Sequence, residues 1–113
     1  MINLKRMLFG IPRLSLDDIY ELVHQKHAVL LDVRTHDEYA KGHVMGSMNI
    51  PYDELANRSG ELPQDKPIVL YCQSGARSTV AEDILRDKGF RDLHNAKEWL
   101  WVSQALDRVK GKK

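Results

Sequence analysis

The sequence predicts an α/β domain built on a mostly parallel sheet, and three observations carry that prediction. Amphipathic helical stretches alternate with short apolar runs along the chain, the pattern of strand–helix–strand units. The two clearest runs, at 28–33 and 68–71, are almost continuously apolar, as strands covered on both faces are. At 113 residues and 42% hydrophobic, the chain makes one domain that buries roughly two thirds of its unfolded surface. It needs no disulfide or structural metal to hold a core.

Each element has its own signal. Ser15 is an N-cap, with Asp17 and Asp18 in the first turn where negative charge suits the helix dipole. Leu16, Ile19, Tyr20, Leu22 and Val23 follow at helical spacing. Ala28 to Val33 is the first strand. Thr35 and Glu38 form a capping box that opens a short helix, closed at Gly42. Val44 to Ile50 is extended and stops at Pro51, and a small helix lies around Asp53 to Asn57. Pro63 and Pro67 bracket a polar loop.

Ile68 to Tyr71 is the second clear strand and runs directly into Cys72. A helix follows from Ser78 to Lys88, with Val80, Ala81, Ile84 and Leu85 as its apolar face and Gly89 as its stop. Phe90 to Leu93 is a last short strand. Ala96 to Val109 is the final helix, carrying Trp99, Leu100, Val102 and Leu106. Residues 1–11 read as an N-terminal extension, 12–109 as the domain, and 110–113 as a basic tail of solvated charge.

Charge and composition exclude several classes. Seventeen basic residues face sixteen acidic ones, a net charge of +1, which argues against a broadly basic nucleic-acid binder. No apolar run is long enough for a membrane span. Met7-Leu8-Phe9 is too short for a signal-peptide core. No nucleic acid and no membrane are expected as partners, and the expected location is cytoplasmic, where a lone thiol stays reduced.

Cys72 is the single cysteine. It excludes an internal disulfide and any multi-cysteine metal site. Either it is a small buried hydrophobe or it does chemistry alone. Its surroundings favour chemistry. It ends a strand, where open α/β sheets bind ligands. Gly75 gives the loop conformational freedom, and a helix N-terminus follows, so several N–H groups converge on one spot. Arg77 adds a positive charge nearby. Both effects lower a thiol pKa from roughly 8.5 and make the nucleophilic thiolate abundant.

The run Tyr71-Cys72-Gln73-Ser74-Gly75-Ala76-Arg77-Ser78 resembles the active-site loop of the rhodanese-like domains, the sulfurtransferases. Leu31-Asp32-Val33-Arg34 with Glu38-Tyr39, and Gly42-His43-Val44-Met45-Gly46-Ser47-Met48-Asn49-Ile50-Pro51, are similar to the family's two upstream signatures. The resemblance spans Leu14 to Trp101. It implies a three-layer fold, with a central five-stranded, mostly parallel sheet and helices on both faces. It implies that sulfane sulfur moves from a donor such as thiosulfate to Cys72, and from the persulfide to an acceptor, cyanide in an assay or a thiol or protein in the cell. Ping-pong kinetics follow.

By position, Cys72 is then the nucleophile. The backbone of Gln73, Ser74, Gly75, Ala76, Arg77 and Ser78 cradles the persulfide, and Arg77 helps hold an anionic donor. No metal and no organic cofactor is implied.

The loop from Cys72 to Arg77 is C-x4-R. Related phosphatases and arsenate reductases use a longer C-x5-R loop, which ranks those activities well below sulfur transfer. Two departures stand out. The family's Gly-Gly pair before the last helix is replaced by His94-Asn95-Ala96-Lys97-Glu98-Trp99, and Gln73 stands where many members carry a basic residue. They motivate an alternative reading, a persulfide carrier or partner-binding module with little small-molecule turnover.

Asp32 and Arg34 lie at a strand end near the expected active face. They position substrate or, the favoured reading, form a network that holds the loops. His43 is a candidate base whose favoured reading is a structural hydrogen bond. His24, His27, His36 and His94 show no metal-ligand spacing. Met45 and Met48 are candidates for an apolar rim, with core packing the simpler account. Trp99 and Trp101 cannot both face inward from one helix.

Overall fold

A computed structural model describes residues 14–109 of the chain. The extension and tail expected at 1–11 and 110–113 lie outside the described residues. In chain order the elements are α1 (Leu16–His24), β1 (Val29–Asp32), α2 (His36–Lys41), β2 (Met48–Asn49), α3 (Leu55–Arg58), a 3-10 turn (Ser59–Glu61), β3 (Ile68–Cys72), α4 (Ala76–Asp87), β4 (Leu93–Glu98) and α5 (Trp99–Val109). None of the described helices is long and apolar enough to cross a membrane.

Caps decide where the first helices begin. At α1 the Ser15 hydroxyl accepts from the Asp18 N–H at 2.9 Å, and Asp18 Oδ2 accepts from the Ser15 N–H at 3.4 Å. Thr35 and Glu38 repeat the reciprocal pair at α2, at 3.1 and 2.9 Å. Two otherwise orphaned donors are satisfied at each start.

The strands form one parallel sheet in the order β2-β1-β3-β4. Among the described residues there are four strands, not the five that the resemblance implied. Pairing along β1 and β3 runs from Val29 with Ile68 to Asp32 with Tyr71. The alternation of side chains across the pleat then sorts the core into two halves. Leu31, Leu70 and Cys72 point into one cluster with Leu55, Ala81 and Leu85 of α3 and α4. Leu30, Val69 and Tyr71 point into the other, with Ile19 and Leu22 of α1 and Val102, Ala105 and Leu106 of α5. Helices therefore cover both faces, and all five residues of β3 are buried.

Several boundaries differ from the sequence expectation. The extended stretch at 44–50 narrows to a two-residue strand, because a turn at positive-φ Gly46 bonds the Ser47 N–H to the Val44 carbonyl at 3.2 Å. The fourth strand is not Phe90–Leu93 but Leu93–Glu98. It starts where the Ile68 N–H takes the Asp92 carbonyl at 2.9 Å, and it extends β3's ladder as far as Cys72. The last helix consequently starts at Trp99 rather than Ala96. The helix after Cys72 starts two residues early, at Ala76, because Gly75 itself is the N-cap at φ 106°.

The strand order places the site. From β1 the chain steps outward to β2, and from β3 it steps outward the other way to β4. Between β1 and β3 the connections diverge, which opens a crevice beyond their carboxyl ends. Asp32 ends β1 and Cys72 ends β3.

Candidate active site

Cys72 is 1% exposed and sits at the floor of the loop that enters α4. Its Sγ accepts from the Gly75 N–H at 3.0 Å. Burial pushes the thiol pKa up. The N–H groups of Ser78, Gly75 and Ser74, with the Ser78 hydroxyl, outweigh it and hold the value below that of an ordinary thiol. A charged sulfur therefore has donors waiting for it.

The loop depends on Gly75. Its φ of 106° lies in the region that side-chain-bearing residues avoid, and a Cβ there would meet Lys97 Cβ at 3.2 Å. Gln73, Ser74 and Ala76 are exposed at the rim, while Gly75 and Ser78 are buried. The Ser78 hydroxyl lies 3.1 Å from the Gly75 carbonyl and 2.9 Å from Asn95 Oδ1.

Arg77 is turned onto Glu38. Its two terminal nitrogens donate to the two carboxylate oxygens at 2.7 and 3.1 Å. Arg77 and the Thr35 N–H hold the Glu38 carboxyl down at about 2. Glu38, burial's opposing effect and then the Cys72 thiolate set the Arg77 guanidinium, with a net rise in its pKa. Arg77 thus feels the sulfur, but its charge is compensated.

Asp32 and Arg34 are both buried and paired with each other. Arg34 Nη2 donates to Asp32 Oδ2 at 2.8 Å and to the Gly42 carbonyl at 2.7 Å. Its guanidinium lies 4.4 Å from the centre of the Trp99 ring. One side chain so joins β1, the turn at Gly42 and the start of α5. His43 is exposed, stacks on Tyr39 at 3.9 Å, and donates from Nδ1 to the Tyr39 carbonyl at 2.8 Å.

A cleft of about 190 Å³ opens beside the loop, lined by Arg34, Glu38, Lys41, Gly42, Gln73 and Trp99. A larger cavity of about 400 Å³ lies by Val29 and Lys66, at the opposite ends of the strands from Cys72, and has no part in this chemistry.

Two residues joined the site without any sequence signal that isolated them. Asn95 Oδ1 lies 2.9 Å from the Ser78 hydroxyl and accepts from the Lys97 N–H at 3.0 Å. Lys97 lies against Gly75 with φ of 71°. The one available hint was the polar run 94–98 standing where glycines were expected.

A parallel α/β domain that seats one cysteine in a ring of N–H donors at a strand end has the geometry that thiolate chemistry needs. The model of the Rhodanese-like domain matches residues 15–98, and the chain belongs to that family. It is 42% identical over 72 residues to the uncharacterized protein YqhL of Bacillus subtilis, covering 64% of this chain and 57% of YqhL. It is 32% identical over 109 residues to the human thiosulfate:glutathione sulfurtransferase, covering 80% of this chain and 95% of that protein. The crystal structure of reduced Bacillus anthracis CoADR-RHD superposes with a TM-score of 0.70 at 30% identity, covering 93% of this chain and 19% of that one. The chain spans 57%, 30% and 47% of three curated relatives that it matches.

Proposed function

We propose that the chain is a sulfurtransferase that carries sulfane sulfur on Cys72. The observation that bears most weight is the ring of donors around Sγ, with the Gly75 N–H at 3.0 Å. It stabilises negative charge on the sulfur before and after loading. Membership of a family whose members include thiosulfate sulfurtransferases supports the same reading.

The chemistry balances in two displacements. The Cys72 thiolate attacks the outer sulfur of thiosulfate. A new S–S bond forms on Cys72, the S–S bond of thiosulfate breaks, and sulfite leaves with that electron pair. An acceptor, cyanide or a thiolate, then attacks the outer persulfide sulfur. Thiocyanate or a new persulfide departs, and the Cys72 thiolate is restored. The negative charge rests on sulfur bound to Cys72 at both stages, inside the same ring of donors. A single cysteine means that the loaded sulfur leaves only to something outside the chain. A reduced thiol is required at the start, which suits the cytoplasm.

Phosphate-ester hydrolysis is the weaker reading. The loop is C-x4-R, and Arg77 is committed to Glu38 through two hydrogen bonds. Intact-mass measurement decides the matter. Thiosulfate should add one sulfur to the wild-type chain and none to Cys72→Ser, and thiosulfate:cyanide turnover should vanish with it. Loading without turnover would select the persulfide-carrier alternative. No loading from thiosulfate or any other persulfide donor would end the sulfurtransferase reading.

A further inference from the structure

Glu38 stands on the wall of the cleft that opens beside the Cys72 loop, with Arg34, Gln73 and Trp99. Both oxygens of its carboxylate are taken. Arg77 Nη1 donates to Oε1 at 2.7 Å and Nη2 to Oε2 at 3.1 Å, and the Thr35 N–H reaches Oε1 at 2.9 Å. A bidentate arginine–carboxylate pair is among the stronger polar contacts a protein makes. Arg77 is the cation of the Cys72 loop, and the charge of the sulfur acts on it. Its guanidinium therefore meets an incoming reactant already paired, and an anion that seeks it must first displace Glu38.

Two other residues of the cleft supply no cation in its place. Gln73, the first residue after the sulfur, is neutral, and Arg34 is buried and paired with Asp32. Lys41 also lines the cleft and is exposed. Whatever it adds from the solvent side, Glu38 subtracts one unit of charge at the loop itself. A carboxyl held at about 2 keeps that charge throughout the neutral range.

We infer that Glu38 is a specificity-determining residue: by holding the Arg77 guanidinium it denies that cation to a dianion such as thiosulfate, and it favours sulfur donors of lower charge, the persulfide of a small thiol among them. With such a donor, R–S–SH, the Cys72 thiolate attacks the outer sulfur. The new S–S bond forms as the old one breaks, R–SH leaves with the electron pair and the proton, and Cys72 keeps the outer sulfur as a persulfide anion. The donor class rests on the sulfur-transfer reading above, while the charge that Glu38 sets at Arg77 does not.

Alkylation of the single cysteine reads that charge without any sulfur transfer. Iodoacetate is an anion, and iodoacetamide is neutral and nearly the same size. Their rates with Cys72 are followed by intact mass at one pH and low salt, and the iodoacetate-to-iodoacetamide ratio cancels any change in thiol ionisation or loop opening. Glu38→Gln keeps a side chain that serves a capping box. It should raise the ratio about twofold or more, and high salt should shrink the gain. Glu38→Asp should stay near wild type. Glu38→Gln combined with Arg77→Met restores the wild-type charge at that spot and should restore the ratio, which separates the charge of Arg77 from a loosened loop. The rate of sulfur loading from thiosulfate, relative to that from cysteine persulfide, should rise with Glu38→Gln in the same way. An alkylation ratio equal in wild type and Glu38→Gln overturns the proposal, as does a gain that persists undiminished in the double variant. An alkylation ratio that moves while the loading ratio does not overturns the donor preference. Chains that load no sulfur from either donor, yet show the expected alkylation ratios, refute the sulfur-transfer reading and leave the charge set by Glu38 standing.

Discussion

Glu38 and Arg77 stand 39 residues apart in sequence and meet in a bidentate ion pair, at 2.7 and 3.1 Å. The pair ties the capping box of α2 to the first turn of α4, so the loop that carries Cys72 is braced against the opposite wall of the crevice. Glu38 serves two structures at once, since the same carboxylate accepts from the Thr35 N–H at 2.9 Å.

That double role gives a pH signature. The Glu38 carboxyl is lowered from 4.5 to about 2 by Arg77 and Thr35. A carboxyl whose folded value lies below its unfolded value stabilises the fold above the unfolded value, and the benefit is lost as pH falls. The window is therefore between about 4.5 and 2. The Glu38 side chain is 35% exposed, so solvent screening limits the effect to about 1 kcal/mol. Glu38→Gln keeps a capping-box side chain and removes the charge. It should lower stability by about 1 kcal/mol at neutral pH, or about 4 °C in Tm. Its stability should also fall less than that of wild type between those pH values. Denaturant titrations at several pH values check both.

Ser78 offers a second handle on Cys72. Burial raises the thiol pKa, but the Ser78, Gly75 and Ser74 N–H groups and the Ser78 hydroxyl bring it below the ordinary value. Ser78→Ala removes the hydroxyl and keeps the backbone donor. The midpoint of the iodoacetamide pH–rate profile should move up, because one donor to the charged sulfur is lost. An unchanged midpoint would mean that the hydroxyl proton stays with Asn95 Oδ1 or the Gly75 carbonyl, both within 3.1 Å.

The legible parts of this protein are those written in local sequence. The Ser15 cap, the Thr35–Glu38 capping box, the buried β3 run and the Gly75 turn depend on neighbours within a few residues, and each appears as expected. β4 was hidden because its pairing is remote. His94, Asn95, Lys97 and Glu98 carry no strand pattern of their own. They are held extended by β3, and they turn Asn95 and Lys97 toward the loop. The Arg77–Glu38 pair was hidden for a related reason. Glu38 reads fully as a cap, and nothing in its neighbours reveals a second partner across the crevice.

The buried pair Asp32–Arg34 should be strongly non-additive. The Asp32 side chain is wholly inaccessible and that of Arg34 nearly so, at 0% and 3%. Arg34→Met strands a carboxylate in the core, and Asp32→Asn strands a guanidinium. Each single change should cost about 3–5 kcal/mol. The double variant should recover much of that loss, since neither charge is then left unpaired. A denaturation double-mutant cycle measures the coupling. Simple addition of the two losses would show that Arg34 acts mainly through Gly42 and Trp99, its contacts outside the pair.

Lys97 sets a backbone cost against a packing contact. A side-chain-bearing residue at φ 71° costs about 1–2 kcal/mol against its ordinary backbone. Lys97→Gly removes that cost. It also loses the stem's contact with Gly75 and gives the unfolded chain more freedom, worth about 0.5–1 kcal/mol in the opposite direction. The expected net is a stability equal to wild type or up to about 1 kcal/mol higher. Lys97→Val should lose about 1 kcal/mol or more, because a branched Cβ fits the left-handed region worse than a straight chain does. Thermal unfolding of the three proteins side by side checks the order glycine, lysine, valine. If the glycine variant unfolds first, the interactions of the lysine side chain, its packing on Gly75 among them, outweigh the backbone strain. If it unfolds last, the left-handed backbone outweighs what the side chain contributes, and the lysine is carried at a cost to the fold.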